Sequence, residues 1–317
     1  MAAESDTIND LDTSNELPYD VLCYGTISSE SVTRLMRLPT PRRDATATHE
    51  RDALGGEALN VAVPLAEWGL RVAVMGNFIG TDRKAEFILE ELAKYSRIDT
   101  KYIIQHENIT TPFSRVFVTP DGERSRIAYW YDQTPKDELT VGLMAQARIL
   151  STDAYGRDER DRAAQVARSL GKAVISADAV WPQYPLAGLS TAVIISSAWL
   201  QSNFPGVYEY DHALELQAQG AGVVIITDGP KAVLVVRADG SPFGVEPYEV
   251  RRVVDTSGAG DLFKAGIIYG WLQEDWPLEQ KMKFACAAAG LNCERDRSVD
   301  PPPSLDEVFA LMKSQPR

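Results

Sequence analysis

The sequence predicts one α/β domain with three layers, α/β/α, around a mainly parallel central sheet, and with a small β lid. Short apolar segments alternate with helix-length segments through most of the chain, which is typical of a parallel sheet covered on both faces. Between residues 101 and 131, three β-like runs follow one another without a helix, which indicates an antiparallel insertion. A length of 317 residues fits one such domain with a lid better than two independent domains.

The first half of the chain predicts these elements in order. Apolar runs indicate strands, and apolar residues on one face indicate helices. We expect a strand at 19–24, a half-exposed strand at 33–38, loop or edge-strand material at 39–52, a helix at 59–66 that closes at Gly69, a strand at 71–76 and a helix at 86–95. The β-like runs are 102–104, 114–119 and 125–131, with a turn at 120–122, and the lid takes about residues 29–52 and 107–131.

The second half returns to strict alternation. We expect strands at 148–151, 173–176, 192–196 and 223–227, separated by helices such as 160–170 and 210–219. Two further strands, 233–237 and 248–254, precede helices at 261–272, 278–293 and 305–313. The sheet therefore grows mainly by parallel crossovers.

Composition excludes several classes of protein. With 44% hydrophobic and 24% charged residues, the chain has a globular composition and not that of a disordered protein. No apolar run is long enough for a membrane span, and the formal net charge of −13 argues against a nucleic-acid partner. Three cysteines without a CxxC pair favour a reducing, cytoplasmic compartment over a disulfide or zinc framework.

The negative charge is concentrated near the N-terminus. Before Arg34, the first basic residue, the chain carries Glu4, Asp6, Asp10, Asp12, Glu16, Asp20 and Glu30. We expect residues 1–18 to form a flexible, solvated leader, with an acidic interaction arm as the alternative. The folded domain then spans residues 19–317.

The segment VVDTSGAGDLF, residues 253–263, carries the most chemical information. We expect a strand to run into this loop and a helix to begin at or just after Asp261. Free amides at a helix N-terminus bind anions, and small residues let phosphate oxygens approach the backbone. Gly258, Ala259 and Gly260 would bind the anion, and Asp261 would accept a proton from an attacking hydroxyl. The alternative is that Asp261 is an ordinary helix cap.

Other nucleotide and metal motifs are absent from the sequence. The P-loop pattern GxxxxGKS or GxxxxGKT does not occur, and Phe263 stands where a dinucleotide fingerprint needs its third glycine. HExxH is also missing, and His49, His106 and His212 are scattered. We therefore expect no protein-built metal site.

The segment DTSGAGD, residues 255–261, resembles the second signature of the ribokinase, or PfkB, family of carbohydrate kinases. GGEALNVA, residues 55–62, resembles the first signature, and GNFIGTD, residues 76–82, resembles the family's GxxGxD turn. The resemblance extends over about residues 19–313. It implies that Asp261 is the catalytic base, that Gly258, Ala259 and Gly260 form the anion hole, and that Gly55, Gly56 and Asn60 contact the sugar hydroxyls.

The resemblance also implies ATP and Mg²⁺ as cofactors and allows a monovalent cation such as K⁺. On the nucleotide side it points to Thr227, Gly229, Asp255, Thr256 and Cys286. The NxxE element that helps to organise Mg²⁺ is not visible at 196–200, so phosphates and water would hold the ion. A glycine expected within 295–299 is missing too, which weakens the case for a monovalent-cation site.

Several features bear on the acceptor. Glu30 occupies the place of an Asp that grips two substrate hydroxyls in the family, and is either a substrate ligand or a surface residue. Arg115, Arg124 and Arg126 could reach an anionic group of the substrate, but solvated strand arginines are the commoner case. Trp130 and Tyr131 could stack on the substrate, or else make packing or dimer contacts.

The sequence as a whole predicts ATP-dependent phosphorylation of a hydroxyl on a sugar or sugar acid. The alternatives are a nucleoside kinase of the same family and a catalytically inactive homologue that binds sugar or nucleotide. A homodimer formed through the β lid is compatible with either kinase.

Overall fold

The computed structural model describes residues 17–121, 124–154, 156, 158–178, 180–296 and 301–315. Of the expected leader, 1–18, residues 1–16 lie outside this description, so that expectation stays a prediction.

Nine strands form the large sheet. Its order is β13-β12-β11-β10-β9-β8-β1-β4-β5. The pairs from β11 across to β5 are parallel, whereas β12 and β13 are antiparallel additions at one edge. The strands are β1 Tyr19–Gly25, β4 Val72–Gly76, β5 Ile98–Asp99, β8 Ala147–Thr152, β9 Ala173–Ala177, β10 Ala192–Ser196, β11 Val223–Thr227, β12 Val233–Val236 and β13 Pro242–Val245.

Helices cover both faces of this sheet. Along β1 the side chains alternate between two separate cores: Val21 and Cys23 join one, Leu22 and Tyr24 the other. This follows from the period of two in a strand. The first core takes in α1 Glu57–Glu67, α2 Arg83–Leu92, α8 Ala259–Leu272, α9 Leu278–Cys293 and α10 Leu305–Ser314. The second takes in α3 Val141–Met144, α4 Asp158–Ser169, α5 Pro185–Leu189, α6 Ser197–Asn203 and α7 Glu209–Ala218. The predicted α/β/α layering and mainly parallel sheet are confirmed.

A second, four-stranded sheet comes from the two segments expected to form the lid. Its order is β3-β2-β6-β7, from β2 Ser28–Leu35, β3 Ala47–Gly55, β6 Phe113–Val118 and β7 Arg124–Tyr129. The central pair, β2 and β6, is parallel, and the outer strands are antiparallel to it. We call this the small sheet.

Two expected strands are wrong. Residues 248–254 form no strand, because the Val254 N–H donates to the Cys293 carbonyl at the end of α9. The edge position belongs to β13, which a tight turn through Gly240, with φ of +82°, returns onto β12. Residues 102–104 also lie outside any strand.

Several element boundaries differ from expectation, and three of them change where an element begins relative to a singled-out residue or pattern. The half-exposed strand expected at 33–38 is β2, which begins at Ser28 and ends at Leu35. Helix α2 begins at Arg83, because Asp82 caps it and so starts it ahead of its apolar stripe. Helix α8 begins at Ala259, ahead of Asp261.

In the described residues no helix is long and apolar enough to cross a membrane.

Asp82 ties α2 to the segment before β6. Its Oδ1 accepts the N–H groups of Lys84 and Ala85, and its Oδ2 accepts the Thr111 N–H at 2.9 Å. Burial raises the pKa of Asp82, but the hydrogen bonds from Thr111, Ala85 and Lys84 outweigh it and lower the pKa. The stabilisation is therefore present above the unfolded-state pKa and is lost as pH falls through the lower, folded-state pKa.

We predict that Asp82→Ala lowers the free energy of unfolding at pH 7 by about 1–2 kcal/mol, the usual effect of losing an N-cap acceptor. Urea unfolding at pH 7 and pH 3 measures it, and the difference from the wild type should shrink at the lower pH. Asp82→Asn is the control, since its amide oxygen still caps the helix and only the Thr111 bond is lost. Equal losses for the two variants would contradict this account of the cap.

Candidate active site

The carboxyl ends of the parallel strands meet at one edge of the large sheet. Strand β1 ends at Gly25, β8 at Thr152, β9 at Ala177 and β11 at Thr227. Ligands of open α/β sheets bind at this edge. The loops that leave it, together with the N-termini of α1 and α8, hold most of the residues singled out in the sequence.

The glycine-rich loop enters α8 through Gly258. This residue is the N-cap and has a left-handed backbone, with φ of +68°. Asp261 lies in the first helical turn and is half-buried, so it is not the helix cap. Among the described residues no acceptor meets the N–H groups of Gly258 and Gly260, whereas the Ala259 N–H donates to Thr256 O at 3.3 Å. The N–H groups of Gly258 and Gly260, two of the three expected anion donors, are therefore available to a ligand.

Helix α9 holds this loop in place through a side-chain hydrogen bond. Asn292 Nδ2 donates to the Ser257 carbonyl at 2.8 Å. The buried Asp255 carboxylate accepts the Ser257 N–H at 2.8 Å, while Thr256 is exposed. Asp255 therefore shapes the loop by closing a turn.

Helix α1 starts beside the same place because of two glycines. Gly56 has φ of +83°, and a Cβ there would lie 2.2 Å from the Thr26 carbonyl oxygen. A Cβ on Gly55 would lie 2.4 Å from Glu30 Cγ. Both positions need glycine because neighbouring chain occupies the space of a side chain.

Asn60 and Asp261 bring the two sequence motifs together. Asn60 Nδ2 donates to Asp261 Oδ2 at 2.8 Å, across 201 positions of sequence. Asn60 is 9% exposed, and its Oδ1 is buried with no partner in the part of the chain that the structure describes. A buried amide oxygen without a donor is rare and suits a ligand hydroxyl.

Glu30 is buried and not a surface residue. It is 6% exposed on β2, where its Oε1 accepts the Ser114 hydroxyl at 3.3 Å and its Oε2 lies 4.0 Å from Arg124 Nη2. Arg115 on β6 is exposed, and the Arg126 guanidinium lies 5.6 Å from the Tyr131 ring. Of the three arginines, Arg124 contacts a candidate site residue.

The two aromatic residues after β7 differ in burial and in their contacts. Tyr131 is buried, and its hydroxyl lies 2.7 Å from Ser28 Oγ at the start of the small sheet. Trp130 is exposed and has φ of +70°. Of this pair, Tyr131 also lines a cavity, whereas Trp130 does not.

The nucleotide-side residues are spread over three elements. Thr227 ends β11, and Gly229, with φ of +55°, turns the chain after it. Cys286 lies on α9 inside the first core, where burial raises the pKa of its thiol to about 12. Only 4% of Cys286 is exposed, so its contact surface for an adenine ring is small.

Four charged residues of this edge were missed from the sequence: Glu57, Asp153, Asp178 and Lys264. Lys264 Nζ donates to Glu57 Oε1 at 2.7 Å. The Asp153 carboxylate accepts the Thr26 N–H at 2.5 Å, and Asp178 accepts the Ser196 N–H at 2.8 Å. Lys264 had a signal in the sequence, since it is the one basic residue of helix α8, in which Asp261 is the only other charged residue.

The carboxylates do not form a metal cage. Within the described residues no group of three or more His, Cys, Asp or Glu side chains is placed to hold a metal ion. Burial raises the pKa of Asp178, and the charge of Asp261 adds to this while that of Lys264 opposes it.

A cavity of about 970 Å³ lies between the segment after β7, the loop after β8 and the start of α4. Its walls include Tyr131, Lys136, Ala154, Arg160, Trp181 and Tyr184. Ala154 follows Asp153 and donates its N–H to Glu57 Oε2 at 3.2 Å. The cavity therefore adjoins the Glu57–Lys264 contact, and its volume is that of a small-molecule site.

Comparison with known sequences gives one consistent family. The profile of "pfkB family carbohydrate kinase" matches residues 20–305. A nucleoside kinase of Methanothermobacter thermautotrophicus is 27% identical over 93% of this chain and 96% of its own. A fructoselysine 6-kinase of Shigella flexneri is 27% identical over 74% and 88%, and a 5-dehydro-2-deoxygluconokinase of Clostridium perfringens is 22% identical over 83% and 84%.

Solved structures show the same fold. The ribokinase of Arabidopsis thaliana, complexed with ribose and ATP, superposes with a TM-score of 0.80 at 20% identity, covering 94% of this chain and 99% of that one. The nucleoside kinase of Methanocaldococcus jannaschii gives a TM-score of 0.77 at 17% identity over 95% and 100%. The ribokinase-like fold expected from the sequence is confirmed.

We predict that Gly56→Ala destabilises the protein by about 3 kcal/mol or more, because the left-handed backbone alone costs an L-residue roughly 1–2 kcal/mol and the clash with Thr26 O adds to it. Gly69→Ala is the matched control: φ is +88° there, and nothing lies within 4 Å of the added Cβ. Urea unfolding of both variants gives the comparison. Equal losses would mean that the contact with Thr26 does not constrain the start of α1.

Proposed function

Because the chain belongs to the pfkB family of carbohydrate kinases, we propose that it transfers the γ-phosphoryl group of ATP to a hydroxyl of a sugar or sugar acid. The hydrogen bond between Asn60 and Asp261 carries this proposal. In this bond Asn60, the expected acceptor ligand, contacts Asp261, the expected general base.

Asp261 is the proposed general base. Asn60 orients its carboxylate through Oδ2, and Asn60 Oδ1 remains to accept a hydrogen bond from an acceptor hydroxyl. The acceptor oxygen forms a bond to the γ-phosphorus as the bond to the bridging oxygen of ADP breaks. The hydroxyl proton passes to Asp261, which supplies the positioning and proton transfer that phosphoryl transfer needs.

The N-terminus of α8 is the proposed anion hole. The N–H groups of Gly258 and Gly260 and the positive end of the helix dipole would stabilise charge on the transferred phosphoryl group. Ala259 takes part if its 3.3 Å bond to Thr256 O yields to the stronger acceptor. Asn292 and Asp255 hold the loop in place, so little reorganisation is needed.

ATP would lie along the ends of β10 and β11, near Thr227, Gly229, Thr256 and Cys286. Mg²⁺ would be carried on the ATP phosphates and on water, which suits an edge with single carboxylates, such as Asp178 and Asp261, and without a described metal cage. When bound, the ion neutralises phosphate charge. A requirement for K⁺ stays a prediction from the resemblance.

The cavity of about 970 Å³ is the proposed acceptor compartment, because Ala154 in its wall donates its N–H to Glu57 in the first turn of α1. The proposed acceptor ligands Gly55, Gly56, Asn60 and Glu30 lie at the start of α1 and on β2 and not in its wall. A nucleoside is the second candidate acceptor, favoured by the aromatic walls Tyr131, Trp181 and Tyr184. An inactive binding homologue is disfavoured, because the Asp261 carboxylate and the N–H groups of Gly258 and Gly260, which phosphoryl transfer needs, are present together.

The small sheet is the proposed lid, since Glu30 and Tyr131 connect it to the site. Its closure would exclude water from the phosphoryl group. A homodimer through this sheet and a cytoplasmic location remain predictions.

We predict that Asp261→Asn lowers kcat by 10²–10⁴-fold, the range for a lost general base, while the dissociation constant for MgATP changes less than threefold. ADP release and calorimetric titration measure the two quantities. Asp306→Asn is the matched control, an exposed acid in the first turn of α10, and should retain full activity. Full turnover in Asp261→Asn would refute the role of the base.

The acceptor class can be assigned by ADP release with ribose, fructose, fructoselysine, 5-dehydro-2-deoxygluconate, gluconate and adenosine. We expect stimulation by a sugar or sugar acid. Stimulation by adenosine alone would establish the nucleoside alternative. If every acceptor leaves ADP release at its basal rate, the binding homologue is favoured.

A further inference from the structure

Two side-chain bridges join α1 to α8 in register. Glu57 and Asn60 are three residues apart on α1, and Asp261 and Lys264 are three residues apart on α8, so each pair lies on one helix face. Asn60 bonds Asp261 at 2.8 Å, and Glu57 bonds Lys264 at 2.7 Å. The proposed function uses the first bridge and leaves the second without a role.

The second bridge is buried at Lys264, is partly exposed at Glu57, and reaches a third element. Lys264 is 1% exposed, and its Nζ also donates to the Thr152 carbonyl at the end of β8, at 2.5 Å. Glu57 Oε2 accepts the Ala154 N–H just beyond that strand. One ammonium group thereby connects α1, α8 and β8 next to the proposed base. Removing one partner of such a pair leaves a buried charge uncompensated.

The charges around Glu57 make this bridge dependent on pH. Burial raises the pKa of Glu57 to about 7, Lys264 opposes the rise, and Asp153 and Asp261 add to it. Glu57 in turn acts on the ionisable groups of Cys23 on β1 and Arg160 on α4. The ion pair is therefore formed at higher pH, and it weakens as pH falls and Glu57 takes up a proton.

We propose that Lys264 and Glu57 are a positioning pair for phosphoryl transfer, which holds the first turn of α8 against α1 so that Asn60 can orient Asp261. This inference rests on the proposed function. It adds two residues that never touch the substrate but fix the geometry of those that do. It also predicts that turnover rises with pH through about 7, as Glu57 ionises.

The test compares Lys264→Met, Glu57→Gln and the double variant, with Lys281→Met as the matched control. Lys281 is a half-buried lysine whose Nζ bonds the carbonyls of Gly270 and Gln273, at the far end of α8. The assay is ADP release with the most effective acceptor of the panel, from pH 6 to pH 8.5. Urea unfolding and hydrogen exchange of the peptides covering residues 55–62 and 257–264 accompany it.

We expect Lys264→Met to lower kcat at least 20-fold with the KM for ATP changed less than threefold, and Lys281→Met to stay within twofold of the wild type. Glu57→Gln should turn over at one rate from pH 6 to pH 8.5, close to the wild-type rate at pH 6. The double variant removes both charges, so it should recover stability relative to Lys264→Met but not kcat. Recovery of kcat along with stability, or an unaltered pH profile in Glu57→Gln, would overturn the proposal.

Hydrogen exchange separates this proposal from the proposed function. If the wild type phosphorylates no acceptor, the proposed function fails, but the pair still predicts exchange at least tenfold faster at residues 259–264 in Lys264→Met and not in Lys281→Met. Unchanged exchange in Lys264→Met would overturn the positioning role, whatever the activity of the wild type.

Discussion

The hydrogen bond between Asn60 and Asp261 fixes how the two halves of the site meet. It requires two helices that begin far apart in sequence to begin at one edge of the sheet. Gly56 brings the chain into α1 against the Thr26 carbonyl, and Gly258 brings it into α8 in a left-handed conformation. Two further hydrogen bonds hold neighbouring segments at these helix starts: Asn292 on α9 bonds the Ser257 carbonyl, and Ala154, in the wall of the cavity, bonds Glu57.

Buried charge is the second constraint at this edge. Glu30, Asp153, Asp255 and Lys264 are all buried there, and charges in a low-dielectric interior are tolerated when they are paired and hydrogen-bonded. Each of them has such a partner: Arg124, the Thr26 amide, the Ser257 amide and Glu57 respectively. These partners keep the charged side chains inside the folded chain at this edge of the sheet.

Elements that depend on local sequence patterns form where they are predicted, and elements that depend on partners distant in sequence do not. Local apolar patterns predicted the buried strands, such as β1 and β10, and the helices, such as α8 and α9. The same kind of pattern predicted strands β6 and β7 of the insertion between residues 101 and 131. The strand expected at 248–254 failed because its backbone bonds Cys293 and Glu294 at the end of α9 and Gln315 at the end of α10, partners that no local pattern contains. Helix α2 begins earlier than its apolar residues indicate, because Asp82 caps it and lies before the first of them.

The sequence by itself determined the layered fold, the family and the two motifs, because these depend on periodicity and on glycines whose backbone conformations other residues avoid. It also located Asn60 and Asp261, but not the bond between them. Only the tertiary structure decided that Glu30 is buried, that Tyr131 and not Trp130 faces the small sheet, and that Lys264 pairs with Glu57. These are contacts between side chains distant in sequence, and their distances are set by how helices and sheet pack.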